Sequence, residues 1–164
     1  MSQKKVRQLA YGGLLAAVIA IATAFLKIPT AIGYFHMGDG FIFLAAYLLG
    51  GPWGALAAGV GSALADLFAG YVVYAPATFV IKALMALIAG YGLQKDHSPS
   101  RMIVVYIIAE VLMVLGYFLF EWILYGAAAA AGVFISNTMQ GIIGVLIGVA
   151  AVRLVERTGF RPLS

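Results

Sequence analysis

Few ionisable or amide side chains lie within the long apolar stretches of this chain. They are Asp66, Lys82, Glu110, Glu121, Asn137 and Gln140. An ionisable group inside a lipid bilayer costs at least about 2.5 kcal/mol, so such groups are rare and usually functional. Their function depends on which helices carry them and on whether their side chains lie close together in the folded protein.

The composition predicts a membrane protein. Of the 164 residues, 64% are hydrophobic and 10% are charged, and the mean hydropathy is +1.05. Soluble domains carry about 25% charged residues. A chain of this size buries only about 70% of its surface on folding, so much of its apolar surface must face the lipid bilayer. The net charge of +4 then marks cytoplasmic ends and does not indicate a nucleic-acid partner.

Hydropathy predicts an all-α fold, a compact bundle of six transmembrane helices in a single domain over residues 1–164. A spanning helix needs about 20 mostly apolar residues. The predicted helices cover about 6–28, 40–50, 52–70, 76–93, 102–125 and 130–155. The second helix is too short to cross a membrane alone.

Basic residues predict the orientation of the chain. Eight of them lie near the two termini and in the loop after helix four, which six spans place on one side. An excess of Lys and Arg marks the cytoplasmic side, so both termini are expected to be cytoplasmic. The loop before helix two, with His36 and Asp39, is then expected on the outside.

The depths of the polar residues indicate a site near one membrane face. Asp66 lies four residues from the outer end of helix three, about 6 Å at 1.5 Å per residue. Only Glu110 lies deep. Aromatic residues near the same end are Tyr34, Phe35, Tyr74, Tyr117 and Trp122. The pattern predicts a cup, open to the outside, for a small, flat, polar ring compound.

Structural interpretations of the same residues stay open. Lys82 could pair with Asp66 or Glu121, which would make its burial tolerable. Asp39 could cap the start of helix two. In a ligand-free membrane scaffold, all of these residues would serve only pairing and capping within the protein.

A channel or exporter is a further alternative, and catalysis is not expected. A small oligomeric channel or exporter would need polar groups through the whole membrane, and only Glu110 favours it. The sequence has no phosphate-binding P-loop and no nucleophile motif of a hydrolase. It has no cysteine, and His36 is the one histidine of the apolar region, so we expect neither a metal nor a cofactor. A binding cup without an energy source suggests a subunit that depends on partners.

Small residues recur every fourth position in helix one, at Ala16, Ala20 and Ala24. Such spacing lets helices approach closely in lipid, where packing replaces the hydrophobic effect. The alanines could serve packing within the bundle, or they could dock the chain against another membrane protein.

Several motifs together resemble one known family. They are the Gly38-Asp39 pair before helix two, "GPWGALAAGVGSALAD" across helix three, "P-x-T-x-x-x-K" from Pro76 to Lys82, and "NTMQGIIG" in helix six. Their order resembles the substrate-binding S component of energy-coupling factor (ECF) vitamin transporters, in the branch around riboflavin, pyridoxine and hydroxymethylpyrimidine. The resemblance covers essentially the whole chain.

The resemblance implies a non-enzymatic subunit of a bacterial cell-membrane importer. Its partners would be a small vitamin, a transmembrane coupling subunit and two cytoplasmic ATPases. Residues 34–40 would form a lid, and the helix-one alanines would meet the coupling subunit. Combined with the aromatic pattern, the expected substrate contacts are Tyr34, His36, Asp39, Tyr74, Lys82, Tyr117, Glu121, Asn137 and Gln140.

Residue chemistry favours vitamin B6 or the thiamin precursor hydroxymethylpyrimidine as substrate, with riboflavin next. Glu121 could accept a hydrogen bond from a ring N–H, and Lys82 or Asn137 could bind a hydroxyl group.

Overall fold

A computed structural model describes residues 2–30, 33–160 and 162–163; for residues 27–30 and 33–35 it describes the backbone. The described part forms six α-helices and one two-stranded antiparallel sheet. In chain order, the elements are α1 Gln3–Phe25, β1 Lys27–Thr30, β2 Gly33–His36, α2 Gly38–Leu49, α3 Gly51–Phe68, α4 Ala75–Gly92, α5 Pro99–Tyr125 and α6 Ala127–Arg157.

The six helices confirm the predicted all-α membrane bundle. Within the described residues, α1, α4, α5 and α6 are long and apolar enough to cross a membrane. Large apolar side chains cover the outside of these helices; Ile123, Leu146 and Leu154 are each more than 60% exposed. An exposed surface of this kind suits contact with lipid chains.

The end of the first helix differs from the prediction. The predicted helix reaches residue 28, whereas α1 ends at Phe25 and the chain continues into a β-hairpin. Lys27 pairs with His36, and Pro29 pairs with Tyr34. Pro29 has no N–H to continue a helix, and its β-branched neighbours favour extended backbone. The hairpin covers one end of the bundle, which we call the hairpin end.

The short helix α2 lies inside the bundle. Ten of its 12 residues are buried, and it packs against α1, α3, α4 and α6. The Phe43 ring stacks on the Tyr106 ring of α5 at 4.0 Å between centroids. On another side of Phe43, Gly148 allows α6 to pack closely, because an added Cβ would lie 2.7 Å from the Phe43 ring. A helix surrounded by protein need not span the bilayer.

The loop between α4 and α5 is stabilised by polar capping. Ser98 is the N-cap of α5, and its hydroxyl accepts a hydrogen bond from the Arg101 backbone N–H at 3.4 Å. The Ser98 backbone N–H and hydroxyl both donate to Asp96, at 2.8 and 2.9 Å. These two hydrogen bonds lower the pKa of the Asp96 carboxyl.

Candidate substrate-binding site

A cavity of about 200 Å³ lies at the hairpin end, and every helix except α2 contributes to its described walls. Its polar and aromatic lining residues are Thr23, His36, Asp66, Tyr71, Tyr74, Thr78, Tyr117, Glu121, Ser136, Asn137 and Gln140. Ala65, Ala69 and Val133 complete the lining. The walls therefore combine aromatic rings, hydroxyl groups, amides and carboxylates, which can both stack on a ring and orient its polar substituents.

Two hydrogen bonds join α5 to the start of α4 along one cavity wall. The Tyr117 hydroxyl donates to the Thr78 hydroxyl oxygen at 2.9 Å, and the Tyr74 hydroxyl donates to the Glu121 carboxylate. Tyr117 and Glu121 share one helix face because they lie four residues apart. The bonds hold both tyrosine rings in defined orientations, which reduces the entropy lost when a ligand binds.

Gln140 connects the cavity to the hairpin and to the buried layer below. Its side-chain oxygen accepts a hydrogen bond from the His36 backbone N–H at 3.5 Å, and its side-chain nitrogen donates to Asp39 at 2.7 Å. The side chain is 4% exposed. These two contacts assign the amide orientation of Gln140 and link β2 to α6.

An ion pair lies beneath the cavity. The Lys82 ammonium of α4 donates to the Asp39 carboxylate of α2 at 2.6 Å, and both side chains are almost fully buried. The Lys82 nitrogen also lies 5.6 Å from the centroid of the Tyr117 ring. With Gln140 on its second oxygen, Asp39 has partners on both carboxylate oxygens. A buried pair needs such additional hydrogen bonds to offset its desolvation.

The expected partners of Lys82 were wrong. One open interpretation of the sequence was pairing with Asp66 or Glu121, but the structure pairs Lys82 with Asp39. The capping interpretation of Asp39 is also wrong, since the N-cap of α2 is Met37 and Asp39 lies in the first helical turn. The pairing differs because α2 lies inside the bundle, and the capping differs because α2 begins at Gly38, before Asp39.

Glu110 of α5 lies in the same buried layer without a hydrogen-bond donor. Its two carboxylate oxygens are inaccessible and accept no hydrogen bond from any residue that the structure describes. They lie against α6 at two glycines; an added Cβ on Gly144 would be 2.3 Å from one oxygen, and one on Gly141 would be 3.3 Å from the other. The two glycines make room for the carboxyl group.

The expected substrate contacts divide into three groups. His36, Tyr74, Tyr117, Glu121, Asn137 and Gln140 line the cavity. Asp39 and Lys82 lie below it and bond to each other. The side chain of Tyr34 lies outside the part that the structure describes, and only its backbone is placed, in β2.

Several lining residues were not expected from sequence. Thr78 lies one turn before Lys82, and Ser136 lies one turn before Gln140, so helical spacing places each on the face of a recognised polar residue. Tyr71, in the loop after α3, offers no such signal. Trp122, named as a candidate aromatic, is 54% exposed and lies outside the cavity lining.

The helix-one alanines lie mainly inside the bundle. Ala16 and Ala20 are each 8% exposed, and Ala24 is half-buried. Gly61 of α3 approaches Ala16 so closely that an added Cβ would lie 2.5 Å from the Ala16 carbonyl oxygen. In the isolated chain, Ala16 therefore packs against α3. On the outer face of α1, the small residue Ala17 is exposed.

The fold is similar to that of three solved structures. The S component of a bacterial ECF transporter has a TM-score of 0.78 and 23% identity, covering 96% of this chain and 99% of that chain. FolT bound with folic acid has a TM-score of 0.76 and 20% identity, covering 99% and 98%. The S component for biotin from an ECF-type ABC transporter has a TM-score of 0.74 and 18% identity, covering 96% and 94%. The architecture is therefore that of an ECF S component.

Sequence comparison gives the family. The profile of the family "ECF-type riboflavin transporter, S component" matches residues 3–157. The chain belongs to this family and is a substrate-binding subunit of a vitamin transporter, not an enzyme. An uncharacterized protein of Pyrococcus woesei is 37% identical over 123 residues, which cover 75% of this chain and 82% of that protein.

Proposed function

We propose that the chain binds a small, single-ring vitamin or precursor with high affinity for an ATP-driven importer. The vitamin B6 class and hydroxymethylpyrimidine are the best candidates. The observation that carries this proposal is the cavity at the hairpin end, whose volume is about 200 Å³. Drug-sized ligands occupy pockets of about 300–1,000 Å³, so this cavity suits a single ring with short substituents.

The cavity walls suggest a role for each lining group. We propose that the Tyr74 and Tyr117 rings contact the faces or edges of the ligand ring. Glu121 accepts a hydrogen bond from a ligand N–H, and Asn137 and Gln140 bind its oxygen substituents.

The polar groups outside the cavity walls are assigned supporting roles. Asp39 and Lys82 act one layer below the ligand, where they hold Gln140 in place. The hairpin and residues 34–40, including Tyr34, form the lid. The backbone N–H of His36 connects this lid to Gln140. The hairpin end then faces the outside of the cell, where the ligand is captured.

Riboflavin is the second candidate, and the family description favours it. Its three fused rings and its long side chain exceed the volume of the cavity as described. Riboflavin would therefore extend beyond this cavity or displace the hairpin, and displacement would break the contact between His36 and Gln140.

Native mass spectrometry of the detergent-purified chain, followed by a thermal-shift screen of vitamins and precursors, tests the proposal. A ligand that binds only the folded state raises the melting temperature by mass action. We expect a single-ring compound to give the largest shift. A larger shift with riboflavin would replace the substrate assignment, and no shift with any compound would contradict the proposed binding function.

We further propose that transport energy comes from a transmembrane coupling subunit and two cytoplasmic ATPases, because the sequence has no P-loop of its own. Helix α1, which carries Ala16, Ala20 and Ala24, is the proposed docking helix. Uptake by cells expressing the chain with and without such a module tests this assignment. Uptake by the chain alone in liposomes would favour the channel or exporter alternative.

A further inference from the structure

Among the described residues, three serine and threonine side chains line the cavity, and their hydroxyl groups differ in their hydrogen-bond partners. The Thr78 hydroxyl accepts a hydrogen bond from Tyr117 at 2.9 Å. The Ser136 hydroxyl donates to the Val133 carbonyl oxygen at 3.0 Å. The Thr23 hydroxyl of α1 is buried and has no partner in the part of the chain that the structure describes. Because nearly all buried polar groups in folded proteins are hydrogen-bonded, this exception calls for an explanation.

The Thr23 hydroxyl does not form the hydrogen bond that a helix commonly offers to threonine. A threonine hydroxyl within a helix can donate to the carbonyl oxygen one turn earlier. Thr138 of α6 does so, to Phe134 at 2.8 Å. Gln8, the other polar residue among the buried residues of α1, donates to the Leu163 carbonyl oxygen at 3.3 Å. Among the described polar groups buried on α1, the Thr23 hydroxyl therefore stays available for a further partner.

The hydroxyl oxygen of Thr23 lies where α1, the hairpin and α2 meet. An added Cβ on Gly38, the first residue of α2, would collide with this oxygen and would lie 3.1 Å from Nδ1 of His36. Gly38 therefore leaves the space that the hydroxyl occupies. Threonine in a helix adopts two rotamers about χ1, so its hydroxyl and methyl groups can change places without movement of the backbone. Because Thr23 lines the cavity, such a rotation can turn its hydroxyl towards a ligand.

A ligand substituent that bonds to the Thr23 hydroxyl would supply the missing partner. A site built around such a group rejects analogues that lack the matching substituent, because the group is then left buried and unpaired. A hydroxyl is neutral and can both donate and accept, so another hydroxyl is a suitable partner. Pyridoxine and hydroxymethylpyrimidine, the compounds that the cavity volume favours, both carry a hydroxymethyl group on a small ring.

We infer that Thr23 is a substrate contact that recognises a hydroxymethyl substituent of the ligand ring. This inference rests on the proposed function and names the substituent that one wall residue recognises. Among the described lining residues, Thr23 alone comes from α1. The contact would therefore add α1, the proposed docking helix, to the elements that determine specificity.

Isothermal titration of the detergent-purified chain with matched ligands tests the inference. One set is pyridoxine with its two analogues that each have methyl in place of one hydroxymethyl group. The second set is hydroxymethylpyrimidine with its analogue that has methyl in place of the hydroxymethyl group. In at least one set, we expect the hydroxymethyl compound to bind about tenfold or more tighter than a methyl analogue, which leaves the Thr23 hydroxyl unpaired.

Substitutions of Thr23 separate the effect of the hydroxyl from that of side-chain shape. Thr23→Val keeps the branched shape without the hydroxyl and should reduce the preference for the hydroxymethyl compound by about fivefold or more. Thr23→Ser keeps the hydroxyl and should retain the preference. Ligand-free Thr23→Val should melt at the same temperature as the unsubstituted chain or higher, because it loses a hydroxyl that has no partner among the described residues. If Thr23→Val fails to fold, Thr23→Ala replaces it, since alanine and serine differ by one oxygen atom.

Ser62→Ala is the matched control. The Ser62 hydroxyl of α3 is also buried without a partner among the described residues, but Ser62 lies outside the described lining of the cavity. Its removal should leave the ligand preference unchanged. An equal loss of preference in Ser62→Ala would show that buried hydroxyls affect binding through the packing of the bundle, and it would overturn the inference.

The outcomes separate this inference from the proposed function. Ring compounds that bind without preference for the hydroxymethyl form would overturn the inference and leave the proposed function standing. A preference that survives Thr23→Val, or that Thr23→Ser loses as fully as Thr23→Val, would do the same. Binding of riboflavin alone would overturn the inference and replace the substrate assignment. No binding by either set or by riboflavin would overturn both the inference and the proposed function.

Discussion

Two neighbouring layers of the bundle each hold two carboxylates, and the layers treat them differently. In the cavity, Asp66 and Glu121 border space that a ligand can fill. In the layer below, Asp39 and Glu110 are enclosed by protein; Asp39 has Lys82 and Gln140 as partners, whereas Glu110 accepts no hydrogen bond from the described residues. Residue type and depth are therefore insufficient to identify a ligand contact. The groups that surround a carboxylate determine whether it serves binding or folding.

The lower layer should show the largest effect on stability. Lys82→Met leaves the Asp39 carboxylate buried without its cation, and breaking a buried pair in this way costs about 3–5 kcal/mol. A loss of this size lowers the melting temperature of a chain of this length by roughly 10 °C. Thermal unfolding in detergent measures it. The double variant Lys82→Met with Asp39→Asn should recover part of the loss, and an unchanged melting temperature in the single variant would show that the pair is not structural.

The cavity should show the largest effect on binding. Glu121→Gln retains an acceptor for Tyr74 but removes the charge facing the cavity. Hydrogen bonds to charged groups contribute about 1.5–3 kcal/mol, so ligand affinity should fall by about tenfold or more. Titration calorimetry measures the affinity, and the melting temperature of the ligand-free variant is the control. Equal losses of stability and affinity would assign Glu121 to the structural layer.

Glu110 tests whether every carboxyl group of the lower layer contributes to stability. Glu110→Gln keeps the shape of a carboxyl group that lacks a donor in the described part of the chain, and the amide that replaces it cannot carry a buried charge. We expect the melting temperature to stay the same or to rise, with an effect of about 1 kcal/mol or less. Ligand affinity should not change. A marked fall in uptake with unchanged binding would instead support a transport role for this deep residue.

The two faces of α1 allow the smallest and most selective test. Ala17→Leu adds bulk on the exposed face and should change the stability of the isolated chain by less than about 0.5 kcal/mol. Ala16→Leu overpacks the contact with Gly61 and should cost about 1–3 kcal/mol. If α1 docks through its exposed face, Ala17→Leu will reduce vitamin uptake while ligand binding persists. Unimpaired uptake in Ala17→Leu would place the docking surface elsewhere.

The sequence by itself determined the apolar, membrane-type character of the chain and its helical bundle, and it predicts the approximate depth of the polar groups. These follow from local quantities: apolar length, helical rise and the distribution of charge along the chain. The hairpin was missed because its four-residue strands lie next to longer apolar helices and resemble their continuation.

Only the tertiary structure decided which polar groups meet. Asp39 pairs with a residue 43 positions away and with another 101 positions away, and both contacts require α2 to enter the bundle. Helix rotation then decides that Glu121 faces the cavity while Lys82 lies below it. Hydropathy and helical rise predict how deep a side chain lies in the membrane. The hydrogen-bond or ion-pair partner of that side chain depends on packing between helices that are distant in sequence. For this reason, the sequence predicted six of the residues that line the cavity but not the pairing of the buried polar groups.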